Sequence, residues 1–347
     1  MTIRLSRRRT GAIAAGLAAF TLLTGCVSGE NSSDSSGSAE GSTWSATELN
    51  VDFATYNPLS LIIKEQGWLE AELGDDVKVT WTQSAGSNKA NEALRAGAID
   101  VGSTAGSAAL LARANGAPIK TVLLYSQPDW SALVAPKGSD ITEVADLKGT
   151  SIAATKGTDP YFFLLQALAT ANLSLDDVEV QNLQHADGKT ALENGSVDAW
   201  AGLDPLMADS EVNNGSELFY RNIDFNSYGF LNATEDFLQT SPDLAQLVAD
   251  TYEKARAWAE ENPDETVQIL ADASGISPEL AKTVLLERTV LDLDPAPGAK
   301  QADVLKVIGP IFVEIGDVSK QSQVDEALAS LFDTTYIDAA DPSRVGG

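Results

Sequence analysis

Leu94-Arg95-Ala96-Gly97-Ala98-Ile99-Asp100-Val101-Gly102-Ser103-Thr104-Ala105-Gly106 is the stretch from which the fold can be read. A helix with Ala90, Ala93 and Leu94 on its buried side should stop at Gly97, because glycine takes the left-handed conformation without a Cβ penalty. Ile99-Asp100-Val101 then reads as a short buried strand. Gly102 to Gly106 reads as a tight turn into a further helix over Ala108 to Ala114. Such a turn would aim free backbone N–H groups and the Ser103 and Thr104 hydroxyls at one point, the arrangement of an anion site. The phrase recurs: Leu192-Glu193-Asn194-Gly195-Ser196-Val197-Asp198-Ala199 repeats the Leu-x-x-Gly-x-(Ile/Val)-Asp-(Val/Ala) pattern of Leu94 to Val101. One helix–glycine–strand unit in two places implies two similar α/β lobes.

Outward from that stretch, Glu48 to Phe53 alternates as a first strand, and Tyr56-Asn57 leads to Pro58, with Asn57 as the cap of a helix that buries Leu59, Ile62 and Ile63. Gly67-Trp68-Leu69 ends this helix. Val77 to Trp81 is the second strand, followed by the polar turn Gln83-Ser84-Ala85-Gly86-Ser87. These loops lie at the carboxyl ends of parallel strands, where ligands bind in such sheets. Ile119 to Tyr125 is a strand that breaks at Ser126-Gln127-Pro128-Asp129 and resumes at Ser131 to Ala135, as expected of a chain crossing between lobes. The second lobe carries a strand over Ser151 to Thr155, the loop Lys156-Gly157-Thr158-Asp159-Pro160, and a helix with Tyr161, Leu164, Leu165 and Leu168 on one face. Its copy of the repeat runs into the loop Trp200 to Pro205. Tyr228 to Asn232 is extended and returns to the first lobe, and the remainder is helical to about residue 338.

The 347 residues, 44% hydrophobic and 21% charged, suit two globular units. Arg4, Arg7, Arg8 and Arg9, the apolar run Gly11 to Leu23 and Leu23-Thr24-Gly25-Cys26 have the form of a lipoprotein leader, cut before the only cysteine of the chain. Ordinary and twin-arginine export both remain open. The expected layout is a leader at 1–25, a Ser/Gly-rich tether at 26–43, a first lobe at 44–128, a second at 129–227, and the helical remainder of the first at 228–338. The net charge of −27 becomes −31 once the four leader arginines are removed, which argues against nucleic acid and anionic lipid as partners.

Catalytic and metal-binding signatures are sparse. The single histidine, His185, cannot build a multi-histidine metal site and reads as a solvated loop residue. No Walker loop, dinucleotide fingerprint or Gly-x-Ser-x-Gly elbow is present, and neither a metal nor a cofactor is expected. Aromatic residues near the polar loops, Tyr56, Trp130, Tyr161, Trp200 and Tyr228, read singly as core. Their collection at the lobe mouths makes Tyr56, Trp130 and Tyr161 candidate contacts.

At Ala98-Ile99-Asp100-Val101-Gly102-Ser103-Thr104, Asp146-Leu147-Lys148-Gly149, Lys156-Gly157-Thr158 and Val197-Asp198-Ala199-Trp200-Ala201 with Asp204-Pro205, the chain resembles the solute-binding proteins of bacterial ABC importers. The likeness is to the nitrate/sulfonate/taurine group, and within it to the aliphatic-sulfonate-binding branch. It implies an α/β, two-lobed periplasmic-binding-protein-like fold of type II, with two crossing segments between lobes. A small sulfonate-like solute would be held in the cleft by Tyr56, Asn57, Gly86, Ser87, Ser103, Thr104, Trp130, Gly157, Thr158, Tyr161, Trp200 and Asp204. It further implies an ABC permease as partner, a lipid anchor through Cys26 on the extracytoplasmic face of the membrane, and a monomer. Asp159 departs from the branch's serine-rich run and reads as a helix cap. The alternatives are a binding protein for nitrate or a pyrimidine, or a pyrimidine-synthase-like enzyme using His185.

Overall fold

Asp100 shows how the first sheet is assembled. Its carboxylate accepts the Asn50 backbone N–H at 2.8 Å while its own N–H donates to the Asn50 carbonyl at 2.7 Å, fastening two parallel strands at their entry. Asp198 does the same to Ser151 in the second copy of the repeat, with distances of 2.8 and 2.9 Å. Gly97 and Gly195 both end their helices at positive φ, 64° and 74°.

The computed structural model describes residues 44–346; the expected leader, tether and Cys26 lie outside them. The strands are β1 (Glu48–Phe53), β2 (Lys78–Gln83), β3 (Val101–Ala105), β4 (Ile119–Pro128), β5 (Ser131–Ala135), β6 (Ser151–Ala154), β7 (Glu179–Asn182), β8 (Ala199–Leu203), β9 (Glu217–Tyr220), β10 (Gly229–Thr234) and β11 (Thr289–Val290). They form two sheets, in the orders β11-β4-β10-β3-β1-β2 and β7-β6-β8-β5-β9. Each sheet has a parallel trio, β2-β1-β3 or β7-β6-β8, flanked by an antiparallel strand that has just crossed from the other sheet. Those crossing strands, β10 and β5, occupy equivalent places.

The first crossing is shorter than expected. Ser126, Gln127 and Pro128 do not break the strand, because Ser126 pairs with Gly229 of β10 while Gln127 and Pro128 pair with β11. Only Asp129 and Trp130 separate β4 from β5. The return lies between Tyr220 and Gly229.

The helix Pro58–Gln66 buries Leu59, Ile62 and Ile63 as its spacing requires, and Asn57 caps it by accepting the Ser60 N–H. The helix Ala299–Glu314 packs on both halves of the chain: Phe312 meets Phe162 with ring centroids 4.8 Å apart, and Leu305 and Ile308 share a cluster with Leu110 and Leu133. Packing continues past residue 338, where Arg344 is bonded to both carboxylate oxygens of Asp250.

Candidate functional site

The stretch Gly102 to Gly106 is not a turn. β3 runs through Ala105 with every residue buried, and the next helix, Gly106–Ala114, starts without a loop. The two glycines are there for close approach: a Cβ on Gly102 would lie 2.9 Å from Ile99 Cδ1, and one on Gly106 would lie 2.8 Å from the Phe230 ring. The donors assigned to an anion are already committed. Ser103 gives its N–H to both oxygens of Asp52 at 2.9 Å and its hydroxyl to Asp52 Oδ1 at 2.8 Å. Asn57 Nδ2 donates to Ser103 Oγ at 2.8 Å and to the Tyr252 hydroxyl at 3.1 Å. The Thr104 hydroxyl donates to the Ala105 carbonyl and accepts from Asn232, while the Ala105 N–H donates to Ser87 Oγ. Ser103 and Thr104 are therefore internal supports. Burial pushes the Asp52 carboxyl up to about 6, against the opposing bonds from Ser103 and Ser84.

Loops of both sheets nevertheless meet at one place. Tyr56, Ser87 and Ala105 from the first sheet's side, Trp130 from the crossing, and Thr158, Asp159, Pro160, His185 and Leu203 from the second line a cavity of about 10 Å³. That is room for about one water molecule. Tyr56 and Trp130 meet edge to face, 6.0 Å between centroids, and the Tyr56 hydroxyl donates to the Ser103 carbonyl. Gly86 and Gly157 are where the halves touch: a Cβ on Gly86 would lie 3.1 Å from His185 Nε2, and one on Gly157 3.8 Å from Asn88 Cβ. Thr158 turns its hydroxyl inward to the Thr155 carbonyl at 2.6 Å.

Asp159 is not the cap of its helix: Thr158 holds the N-cap position, and the Asp159 carboxylate turns to partners outside the helix. It is buried and accepts from the Ser107 hydroxyl at 2.6 Å, the Ser227 N–H and hydroxyl at 2.7 Å each, and Trp130 Nε1 at 2.9 Å. Its helix follows β6, whereas Ser107 belongs to the helix after β3, so the carboxylate ties the two halves together. Burial raises its pKa over the lowering effect of those four bonds.

Three further candidates stand apart from the cavity. Trp200 is not in a loop: it is fully buried in mid-β8, its indole nitrogen pressed on Gly188. Tyr161 packs edge to face on Phe162 and is 2% exposed. Asp204 accepts from Arg288 Nη1 at 3.2 and 3.3 Å and from the Ala208 N–H, and burial, opposed by Arg288, pushes it up to about 6. Arg288 also reaches Glu211 at 2.7 Å. No sequence motif marks Arg288, Asp52, Ser107 or Ser227, whose partners lie far along the chain.

His185 is not solvated. It opens the helix His185–Glu193, is 2% exposed, and burial pushes its pKa down to about 4. Nδ1 lies 3.2 Å from Thr155 Oγ1, and Nε2 is buried without a partner among the described residues. A much larger groove, about 830 Å³, lies outside the first sheet by Lys64, Glu65, Gln268 and Asp272, but those side chains are exposed and belong to that half alone. Among the described residues no group of three or more His, Cys, Asp or Glu is placed to hold a metal, and no helix is long and apolar enough to cross a membrane.

Residues 60–266 match the family described as NMT1/THI5 like. The chain is 28% identical over 253 residues to a protein of Escherichia coli (strain K12) named for aliphatic sulfonates binding, covering 72% of this chain and 79% of that one. A Bacillus subtilis (strain 168) protein of the same name is 29% identical over 65% of this chain and 69% of its own length. Among solved structures, the alkanesulfonate-binding protein SsuA from Xanthomonas axonopodis pv. citri bound to MOPS superposes with a TM-score of 0.73 at 26% identity, covering 81% of this chain and 98% of that one. The desulfurization enzyme DSZB shares the fold alone, at 14% identity and a TM-score of 0.61 over 85% and 98% of the two chains.

Proposed function

We propose, from the premise that this chain belongs to the NMT1/THI5-like family, that it is the extracytoplasmic receptor of an ABC importer and carries a small sulfonate or aminosulfonate to a permease. The observation that carries this reading is the meeting of strand-end loops from both sheets, with Trp130 of the crossing, on one cavity between them. The relatives named for aliphatic sulfonates support the ligand class. A cavity of about 10 Å³ admits no sulfonate, so the two halves part to load and close again around the solute. Tyr56, Ser87, Trp130 and Thr158 are the direct contacts in this proposal, with Gly86 and Gly157 allowing close approach. Asn57, Ser103, Thr104, Tyr161, Trp200 and Asp204 hold the walls behind them.

The lobe boundaries at 128/129 and 227/228, the monomeric state and lipid attachment through Cys26 belong to the same proposal. Cys26→Ser should move the protein from the membrane to the soluble fraction; a variant that stays with membranes refutes the anchor. The enzyme alternative needs His185 to act with a second reactive group, and among the described residues its ring is hydrogen-bonded to the Thr155 hydroxyl. Calorimetric titration of the purified protein with ethanesulfonate, 2-aminoethanesulfonate, nitrate and a pyrimidine tests the function. Saturable binding of a sulfonate is the expected result; binding of nitrate or the pyrimidine with no response to either sulfonate refutes the ligand class.

A further inference from the structure

We infer that His185 is a solute-contacting residue that demands a hydrogen-bond donor, so the solute carries an N–H group, such as an ammonium, in addition to its anionic end. The inference rests on the solute-binding reading above. It starts from Thr155. Its hydroxyl has one hydrogen, and that hydrogen goes to the Leu183 carbonyl at 2.7 Å. The 3.2 Å contact between Thr155 Oγ1 and His185 Nδ1 is therefore made with Nδ1–H as the donor. A neutral imidazole protonated at Nδ1 presents only a lone pair at Nε2. Burial keeps the ring neutral, with its pKa pushed down to about 4.

That lone pair has no partner among the described residues, although Nε2 is buried and the ring lines the cavity between the halves. An orphaned buried acceptor is a cost that a ligand can relieve. The ring also lies against Gly86, where any Cβ would come within 3.1 Å of Nε2, so this edge faces the opposite half directly. Asn88 Oδ1, beside the same glycine, is a second buried acceptor without a partner. Asp159, on the cavity wall, adds a carboxylate bonded to neutral donors. An alkanesulfonate brings acceptors only and would leave His185 Nε2 unpaired. A solute with an ammonium pairs Nε2 and brings positive charge to the wall that holds Asp159.

The test compares 2-aminoethanesulfonate with ethanesulfonate by calorimetric titration of the full chain and two variants. The native protein is expected to prefer the amino compound by about tenfold or more, the value of one hydrogen bond to a charged group. His185→Phe keeps a ring against Gly86 but removes both nitrogens. Within that variant the ratio of the two affinities should fall to about one, whatever the change in each. Thr155→Val, which should fold even if His185→Phe does not, frees the imidazole to place its proton on Nε2 and should shrink the preference several-fold. Equal affinity of the native protein for the two compounds overturns the inference alone. So does a His185→Phe protein that weakens both alike, since that is the signature of a packing role. Failure of both sulfonates to bind refutes the function proposed above and this inference with it.

Discussion

A buried carboxylate with no cation beside it survives on hydrogen-bond donors, and at Asp52 these come from Ser103 and Ser84. Ser103→Ala removes one hydroxyl that serves both Asp52 and Asn57. The expected loss is about 1–3 kcal/mol of unfolding free energy in urea, with sulfonate affinity changed little. A variant of native stability whose binding is lost would restore Ser103 to the solute. Proton linkage at the same residues can also be measured. Asp52 rises from 3.8 to about 6, so the folded state holds a proton that the unfolded chain releases, and stability falls as pH climbs between those values. Asp204, raised to about 6, acts in the same direction. His185, lowered from 6.5 to about 4, acts in the opposite direction, because only the unfolded chain protonates in that window. The native profile from pH 4 to 6.5 is thus partly flattened. His185→Phe should steepen the decline by about 3 kcal/mol, the equivalent of the His185 displacement. Urea unfolding at pH 4 and 6.5 measures it, and an unchanged pH dependence in His185→Phe contradicts the assignment.

At the scale of elements, the repeated Asp is the fastener of each parallel pair, β1 with β3 and β6 with β8. Asp100→Ala and Asp198→Ala should each cost about 1 kcal/mol in urea unfolding. If neither variant is destabilised, the repeat has no fastening role. This unit was legible in the sequence because its signals are local: Gly97 and Gly195 in the left-handed conformation, an apolar residue two positions on, and an Asp whose partner is the neighbouring strand. The cap at Asn57 and the strand Glu48–Phe53 were legible for the same reason. Gly102 and Gly106 were misread as turn residues because a glycine kept clear for Ile99 or Phe230 looks the same in sequence as one needed for positive φ. Ser126 to Pro128 was misread as a break because the strands that pair it, β10 and β11, come some 100 residues or more later. The sequence points to the cavity walls Ser87 and Thr158 through the family resemblance and to Tyr56 and Trp130 through the aromatics near the polar loops, whereas it assigns Asp159 and His185 to a cap and to solvent. Their burial comes from the opposite half of the molecule, and local sequence does not encode it.

Across the whole molecule, the two sheets exchange strands at β5 and β10, so each half is completed by a segment that has just crossed. Three further ties join the halves: Asp159 on Ser107 and Ser227, Arg288 on Asp204, and Phe312 on Phe162. On the proposed function, a loaded solute would disturb the 2.9 Å bond between Asp159 and Trp130, since both residues line the cavity. The central claim is that a small sulfonate is enclosed there, and Trp130, one of six tryptophans, reports on that place. Tryptophan fluorescence followed during titration with 2-aminoethanesulfonate and ethanesulfonate tests it most directly. The account predicts a saturable change that disappears in Trp130→Phe; a change of the same size in Trp130→Phe, or none with either sulfonate in the native protein, would contradict it.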